Sequence, residues 1–324
     1  MAITVPGVTV ELDLPVPMRD GTILRADVYR PEEPGAYPVL LIRLPYDKTQ
    51  SENVIYAHPS WYARQGYIVV CQDTRGRYRS DGAFYPFEYE AEDGYDTIEW
   101  CGALDGSTGK VGMFGASYGG ATQLLAAIQR PPSLGTLIPA VTASQYYEGW
   151  TYNQGAFALG FALSWALSLG INVAQKRGDD AAAAMFAGSF AASLQLDWSL
   201  PLDAIPALDN PDTHFFNDWI AHPTYDDYWK RWSIDEDYSR IDVPALHVAG
   251  WYDVFLSGSV KNYTGLRASA ATDHARANQR LLIGPWYHIP WRALGGVEDE
   301  DASPYAFDEW QIAWFDRQLK SGSV

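Results

Sequence analysis

Apolar runs of strand length, set apart by helix-length stretches, constrain this chain most. "PVLLIRL" from Pro38, "YIVVCQD" from Tyr67, "KVGMFG" from Lys110, "LGTLIPAV" from Leu134, "PALHVAG" from Pro244 and "RLLIG" from Arg280 lack polar alternation. Strands of that kind bury both faces, so both faces of their sheet must be covered. Helical stretches such as Tyr89 to Trp100 fall between them, and Ala121, Leu124, Leu125 and Ile128 form a stripe at i, i+3, i+4, i+7. This order predicts an α/β chain, a mostly parallel sheet with helices on both faces. The opening "VTVELDLPVPMRDGTILRADVYRP" alternates instead. With "RDG" as a turn, it predicts antiparallel edge strands.

From about Ser144 to Arg240 the strand rhythm stops, and Ala, Trp and Tyr recur with helical periodicity. Residues 144–240 are therefore expected to form a helical cap on a core made of 1–143 and 241–324. Within the cap "GAFALGFALSWALSLGINVA" has the length of a membrane span, about twenty residues. Gly155, Gly160, Ser164, Ser168 and Gly170 interrupt it and no basic flank orients it, so it reads as a buried cap helix. At the other end, Phe307, Trp310 and Trp314 are expected on one helical face, packed back onto the core.

Composition excludes several function classes. There are 23 basic against 40 acidic side chains, a net charge of −17 with no basic run, which argues against a nucleic-acid partner or an anionic membrane. The same charge favours neutral or cationic small molecules. Cys71 and Cys101 read as two reduced, buried thiols. "MAITVPGVTVELDLPV" carries no secretory pattern, so a cytoplasmic protein is expected. No histidine pair has metal-ligand spacing, and neither a metal nor a cofactor is expected. The sequence leaves the oligomeric state open.

The chemistry is carried by "FGASYGG", where Gly115-Ala116-Ser117-Tyr118-Gly119 follows a strand and opens a helix. That context turns G-x-S-x-G into a nucleophile elbow, with Ser117 exposed on a sharp turn and the Tyr118 amide aimed at a developing oxyanion. A serine needs a base, and the base a carboxylate. In α/β-hydrolases both follow the serine, acid first, each just after a strand. Asp253 follows "PALHVAG", and His288 follows "RLLIG". His247 falls inside a strand and reads as core, while His214, His222 and His274 read as loop or cap residues. His58 follows the strand ending near Leu44, within approach of a pocket. The arginine-rich "DTRGRYRSDG" from Asp73 lacks a phosphate-cradling glycine pattern and reads as a structural loop beside the site.

"PMRDG", "RLPYDK", "QDTRGRYRSDG", "GMFGASYGG", "GWYDVF", "GPWYH" and "WFDRQLKSG" occur in that order. Together they resemble the cocaine-esterase group of X-Pro dipeptidyl-peptidase-like hydrolases, from about Met18 onward. The resemblance implies an α/β-hydrolase fold, Ser117 as nucleophile, His288 as base and Asp253 as its partner. It also implies the Tyr46 hydroxyl as second oxyanion donor, in a segment with no glycine-rich loop. Trp150 and Trp165 match acyl-pocket positions, and Phe255 lies beside the acid. Members of the group usually continue into a C-terminal jelly roll, whereas this sequence stops at Val324, so a more open pocket is expected. Relatives that act on α-amino acid esters carry acidic residues after the catalytic aspartate. Here Val254, Phe255 and Leu256 follow, and Glu148 reads as a solvated carboxylate.

These features favour a serine esterase acting on neutral, aromatic or short-chain esters through an acyl-enzyme. The alternatives are an aminopeptidase or β-lactam/α-amino acid ester acylase, and a non-catalytic binding protein on the same fold.

Overall fold

The computed structural model describes residues 2–50, 56–196, 200–288 and 306–320. Its strands are β1 (Ala2–Val5), β2 (Val8–Pro17), β3 (Ile23–Pro31), β4 (Tyr37–Leu44), β5 (Ile68–Asp73), β6 (Ser107–Ala116), β7 (Leu134–Ala140), β8 (Tyr152–Asn153), β9 (Ala156–Phe157), β10 (Ala245–Gly250) and β11 (Gln279–Gly284). All but β8 and β9 form one sheet, in the order β1-β2-β3-β5-β4-β6-β7-β10-β11. The opening strands pair antiparallel as far as β3 on β5, and every pair from β5–β4 onward is parallel. The chain has the expected α/β-hydrolase architecture.

The core divides as the pleat requires. On β4, Val39 and Leu41 point to one face of the sheet and Leu40 and Ile42 to the other. The first face is covered by α2 (Glu90–Gly102) and α3 (Tyr118–Ile128), through Ile98, Cys101, Leu124 and Leu125. The second is covered by α1 (Pro59–Arg64), through Tyr62 and Ala63, and by the C-terminal helix. Cys71 and Cys101 are both buried, in cores on opposite faces of the sheet.

Between β7 and β10 the chain runs through α4 (Leu159–Arg177), α5 (Asp180–Ala191), α6 (Ser193–Leu196), α7 (Phe215–Ala221) and α8 (Asp227–Lys230). The β8–β9 hairpin lies ahead of α4, so this stretch is not wholly helical. The apolar run becomes α4, which buries Leu163, Trp165, Ala166 and Leu169 and stops at Gly178 in the left-handed region. No helix among the described residues is long and apolar enough to cross a membrane. After β10 come α9 (Leu256–Ser269) and α10 (Asp273–Ala277), and after β11 comes α11 (Ala306–Phe315).

The expected face of α11 needs correction. Trp314 is 9% exposed and Phe307 packs near Trp286, but Trp310 is 54% exposed. The inward positions include Asp308, Gln311 and Phe315. Asp308 accepts hydrogen bonds from the Ala57 amide and the Tyr62 hydroxyl, and Gln311 donates to Tyr62 at 2.8 Å. Because polar side chains occupy part of the buried stripe, apolar periodicity alone misplaced it. His58 opens α1. It is the N-cap of α1, accepting from the Ser60 amide, with its ring edge-on to Tyr29. His247 is a core residue, bonded to Gln279 at 2.9 Å.

Candidate active site

Ser117 sits where β6 ends and α3 begins, near the middle of the sheet and at its carboxyl edge. Its φ of 58° and ψ of −120° lie outside the ordinary L-residue regions, a strained conformation held by its surroundings. The Ser117 amide donates to Ala140 O at 2.9 Å, and its carbonyl accepts from Gly120 and Ala121. Gly115 makes the bend feasible. Its φ is +147°, and a Cβ there would lie 2.9 Å from Gly119 O. At the first turn of α3 the Tyr118 amide is one of those a helix leaves without an internal acceptor.

Asp253 and His288 come from the loops that follow the neighbouring strands β10 and β11. Asp253 Oδ1 lies 2.8 Å from His288 Nδ1, and the Asp253 side chain is wholly buried. Two backbone bonds lock the loops together, Trp251 N to Gly284 O at 2.9 Å and Tyr252 N to Trp286 O at 3.0 Å. Gly250 permits that approach, since a Cβ there would come within 2.4 Å of Trp286 O. The pairing leaves Nε2 as the imidazole nitrogen not bound to the carboxylate. With Nδ1 protonated toward Asp253, Nε2 carries the free lone pair.

The remaining candidates lie in one chain of contacts. The His288 ring packs 5.1 Å from Phe255, which stacks on Trp150 at 4.5 Å. Trp150 meets Trp165 edge-on at 5.9 Å, and Trp165 Nε1 donates to the Tyr46 hydroxyl at 3.1 Å. The Ser117 side chain lies beside that hydroxyl. Burial raises the Tyr46 pKa, while the Trp165 bond, the charge of Arg77 and the Ser117 contact pull it down. The phenol therefore keeps its proton near neutral pH and remains a donor. Trp150 is 1% exposed and also packs against Phe87, Tyr146 and Phe161.

A buried polar network under the elbow was not legible in the sequence. Tyr118 donates its hydroxyl to Glu90 Oε1 at 2.9 Å, and Glu90 pairs with Arg43 at 2.9 Å. Arg43 donates in turn to Gln72 at 2.7 Å. Burial pushes the Glu90 pKa up, with Arg43 opposing it. These residues tie β4, β5, α2 and α3 beneath Ser117. The available signal was an arginine inside an otherwise apolar strand, which must find a partner. Among the described residues, no His, Cys, Asp and Glu group of three or more is placed to hold a metal ion.

A sheet of this topology, with a strained serine at its carboxyl edge and a histidine–aspartate pair on neighbouring loops, is the frame of the serine hydrolases. Residues 20–290 match the family described as X-Pro dipeptidyl-peptidase (S15 family). The chain belongs to that family. It is 34% identical over 326 residues to the cocaine esterase of Rhodococcus sp. (strain MB1 Bresler), an alignment covering 94% of this chain and 54% of the esterase. It thus spans about half the length of the curated relative it matches. Among solved structures, an aminopeptidase from a marine sediment Thaumarchaeota archaeon superposes with a TM-score of 0.74 at 25% identity, over 98% of this chain and 55% of that one. A CocE/NonD family hydrolase from Staphylococcus aureus superposes with a TM-score of 0.73 at 23% identity, over 98% and 51%.

Proposed function

We propose that this chain is a serine esterase that hydrolyses neutral carboxylic esters, aromatic or short-chain, through an acyl-enzyme. The observation that carries the reading is the His288–Asp253 bond, joined through Phe255, Trp150 and Trp165 to Tyr46 and to Tyr118, the residue after the strained Ser117. In this reading His288 Nε2 takes the Ser117 proton as Oγ attacks the ester carbonyl. Asp253 holds the imidazole in the required tautomer and stabilises the imidazolium. The Tyr118 amide and the Tyr46 hydroxyl donate to the tetrahedral oxyanion. His288 then protonates the leaving alcohol, and water repeats the sequence on the acyl-enzyme.

Similarity to the cocaine esterase supports ester over amide substrates. Val254, Phe255 and Leu256 after Asp253 offer an ammonium group no carboxylate, and Glu148 is exposed and accepts from the Gln154 amide. Both weigh against the aminopeptidase and amino acid ester readings. A panel of benzoyl, acetyl and α-aminoacyl esters with matched amides tests the assignment. Hydrolysis of the neutral esters is expected to lead, and preference for the aminoacyl substrates would overturn it. On the same panel, Trp150→Ala is expected to reduce turnover of benzoyl esters more than of acetyl esters, because a flat acyl group loses its aromatic wall. Equal losses would reduce Trp150 to a packing role.

Acidification supplies a further test. kcat/KM is expected to fall on acidification, because an imidazolium cannot accept the Ser117 proton. A flat profile from pH 5 to 8 would count against a histidine base. Folding must be followed alongside. Burial pushes the His247 pKa down to about 4, so the unfolded chain gains a proton first and stability declines as pH falls from roughly 6.5 toward 4. Asp73 opposes this. Its pKa is pushed up to about 6 by burial, so the folded state protonates first over the acid part of the same interval.

A further inference from the structure

Arg77 is 1% exposed, and among the described residues no carboxylate forms an ion pair with it. A buried cation without a counter-ion is unfavourable unless its donors are well used. Nε donates to Pro45 O at 2.8 Å, and an Nη donates to Leu169 O at 2.9 Å. The Phe84 and Tyr78 rings lie 4.9 Å and 5.4 Å from the guanidinium carbon. Pro45 immediately precedes Tyr46, and Leu169 lies one turn beyond Trp165 on α4. One side chain therefore joins the segments that carry the two partners of the Tyr46–Trp165 hydrogen bond.

Neighbouring residues in 73–80 extend the same fastening. Thr74 N donates to Leu44 O at 3.1 Å, and Asp73 Oδ1 accepts from the Lys48 amide at 2.7 Å. The turn carrying Tyr46 is thus held on both flanks. Toward the cap, Tyr78 N donates to Asn172 Oδ1 at 3.3 Å, and Lys176 Nζ donates to Ser80 O. Leu169, Asn172 and Lys176 are spaced i, i+3, i+7 along one face of α4.

We propose that Arg77 is a positioning residue for the oxyanion site, fixing the Tyr46 turn to α4 so that the Tyr46 hydroxyl stays bonded to Trp165 Nε1 and aimed at the site. The proposal rests on the reading of Tyr46 as an oxyanion donor. An arginine suits the task because its planar fork donates in two fixed directions, whereas lysine offers a single point charge.

A double-mutant cycle on the full chain tests it. Arg77→Met is expected to lower kcat for a neutral ester about 10–10²-fold with KM within about twofold, since misplacement approaching 1 Å costs on that order. In the Tyr46→Phe background the same substitution is expected to cost less than about twofold, because the group it positions is already gone. Arg77→Lys, with charge but no fork, should give an intermediate loss, and it carries the cycle if Arg77→Met does not fold. Equal losses in both backgrounds, or unchanged kcat in the single variants, overturn the positioning role. Failure of both variants to fold assigns Arg77 to the scaffold and overturns it as well. Unchanged kcat in Tyr46→Phe alone overturns the oxyanion reading itself, a result distinguishable from the failure of Arg77.

Discussion

Ser117→Ala is expected to lower kcat by about 10⁴-fold or more while leaving the fold intact, because members of a serine–histidine–aspartate triad act as a unit. Preservation of the fold follows from the local geometry. Ser117 occupies the N-cap of α3, yet its side chain makes no capping bond. The usual N-cap penalty of about 0.5–2 kcal/mol therefore does not apply. The bonds that hold the elbow are made by its amide and carbonyl, which alanine retains. The strained φ is nearly as unfavourable for alanine as for serine, so it adds little. Thermal unfolding should match the parent protein, and a fluorophosphonate that labels the parent should leave the variant unlabelled. Near-parental turnover would remove Ser117 as nucleophile, and an unlabelled parent would favour a non-catalytic binding protein.

The second large effect is expected at Tyr46. Tyr46→Phe keeps the ring but removes the hydroxyl bonded to Trp165 Nε1, and loss of one oxyanion donor typically lowers kcat by about 10²–10³-fold, or roughly 2.7–4 kcal/mol. KM should change little, because the oxyanion exists only once the carbonyl has been attacked. The structure adds a cost that the sequence did not suggest. Trp165 Nε1 would lose its acceptor, and an orphaned buried donor costs about 1–3 kcal/mol of stability. Some loss of melting temperature is therefore expected beside the loss of kcat. Trp165→Phe on top of Tyr46→Phe separates the two, since it removes the orphan without restoring a donor. Recovered stability with kcat still depressed supports the assignment. If kcat recovers with stability, the tyrosine is only a packing element.

Much of this architecture was determined by local sequence. The apolar runs from Pro38 through Arg280 became β4, β5, β6, β7, β10 and β11 because a strand buried on both faces leaves no room for polar alternation. Ser117 was legible because a tight strand-to-helix turn demands small neighbours at fixed offsets. Asp253 and His288 were legible because this topology places useful loops at the carboxyl ends of strands. In each case the constraint acts within a few residues, so the chain records it.

The tertiary structure decided what depends on partners distant in sequence. The inward face of α11 contains Asp308 and Gln311, which are acceptable there only because Tyr62 and the Ala57 amide are waiting across the core. Arg43, Glu90 and Gln72 come from β4, α2 and β5, far apart in sequence, yet they share one buried network. Arg77 was one basic residue in an arginine-rich loop until Pro45 O, just after β4, and Leu169 O, in α4, met on its two sides. Buried polar groups take their meaning from the donors and acceptors that folding brings to them. Apolar periodicity carries no record of those pairings.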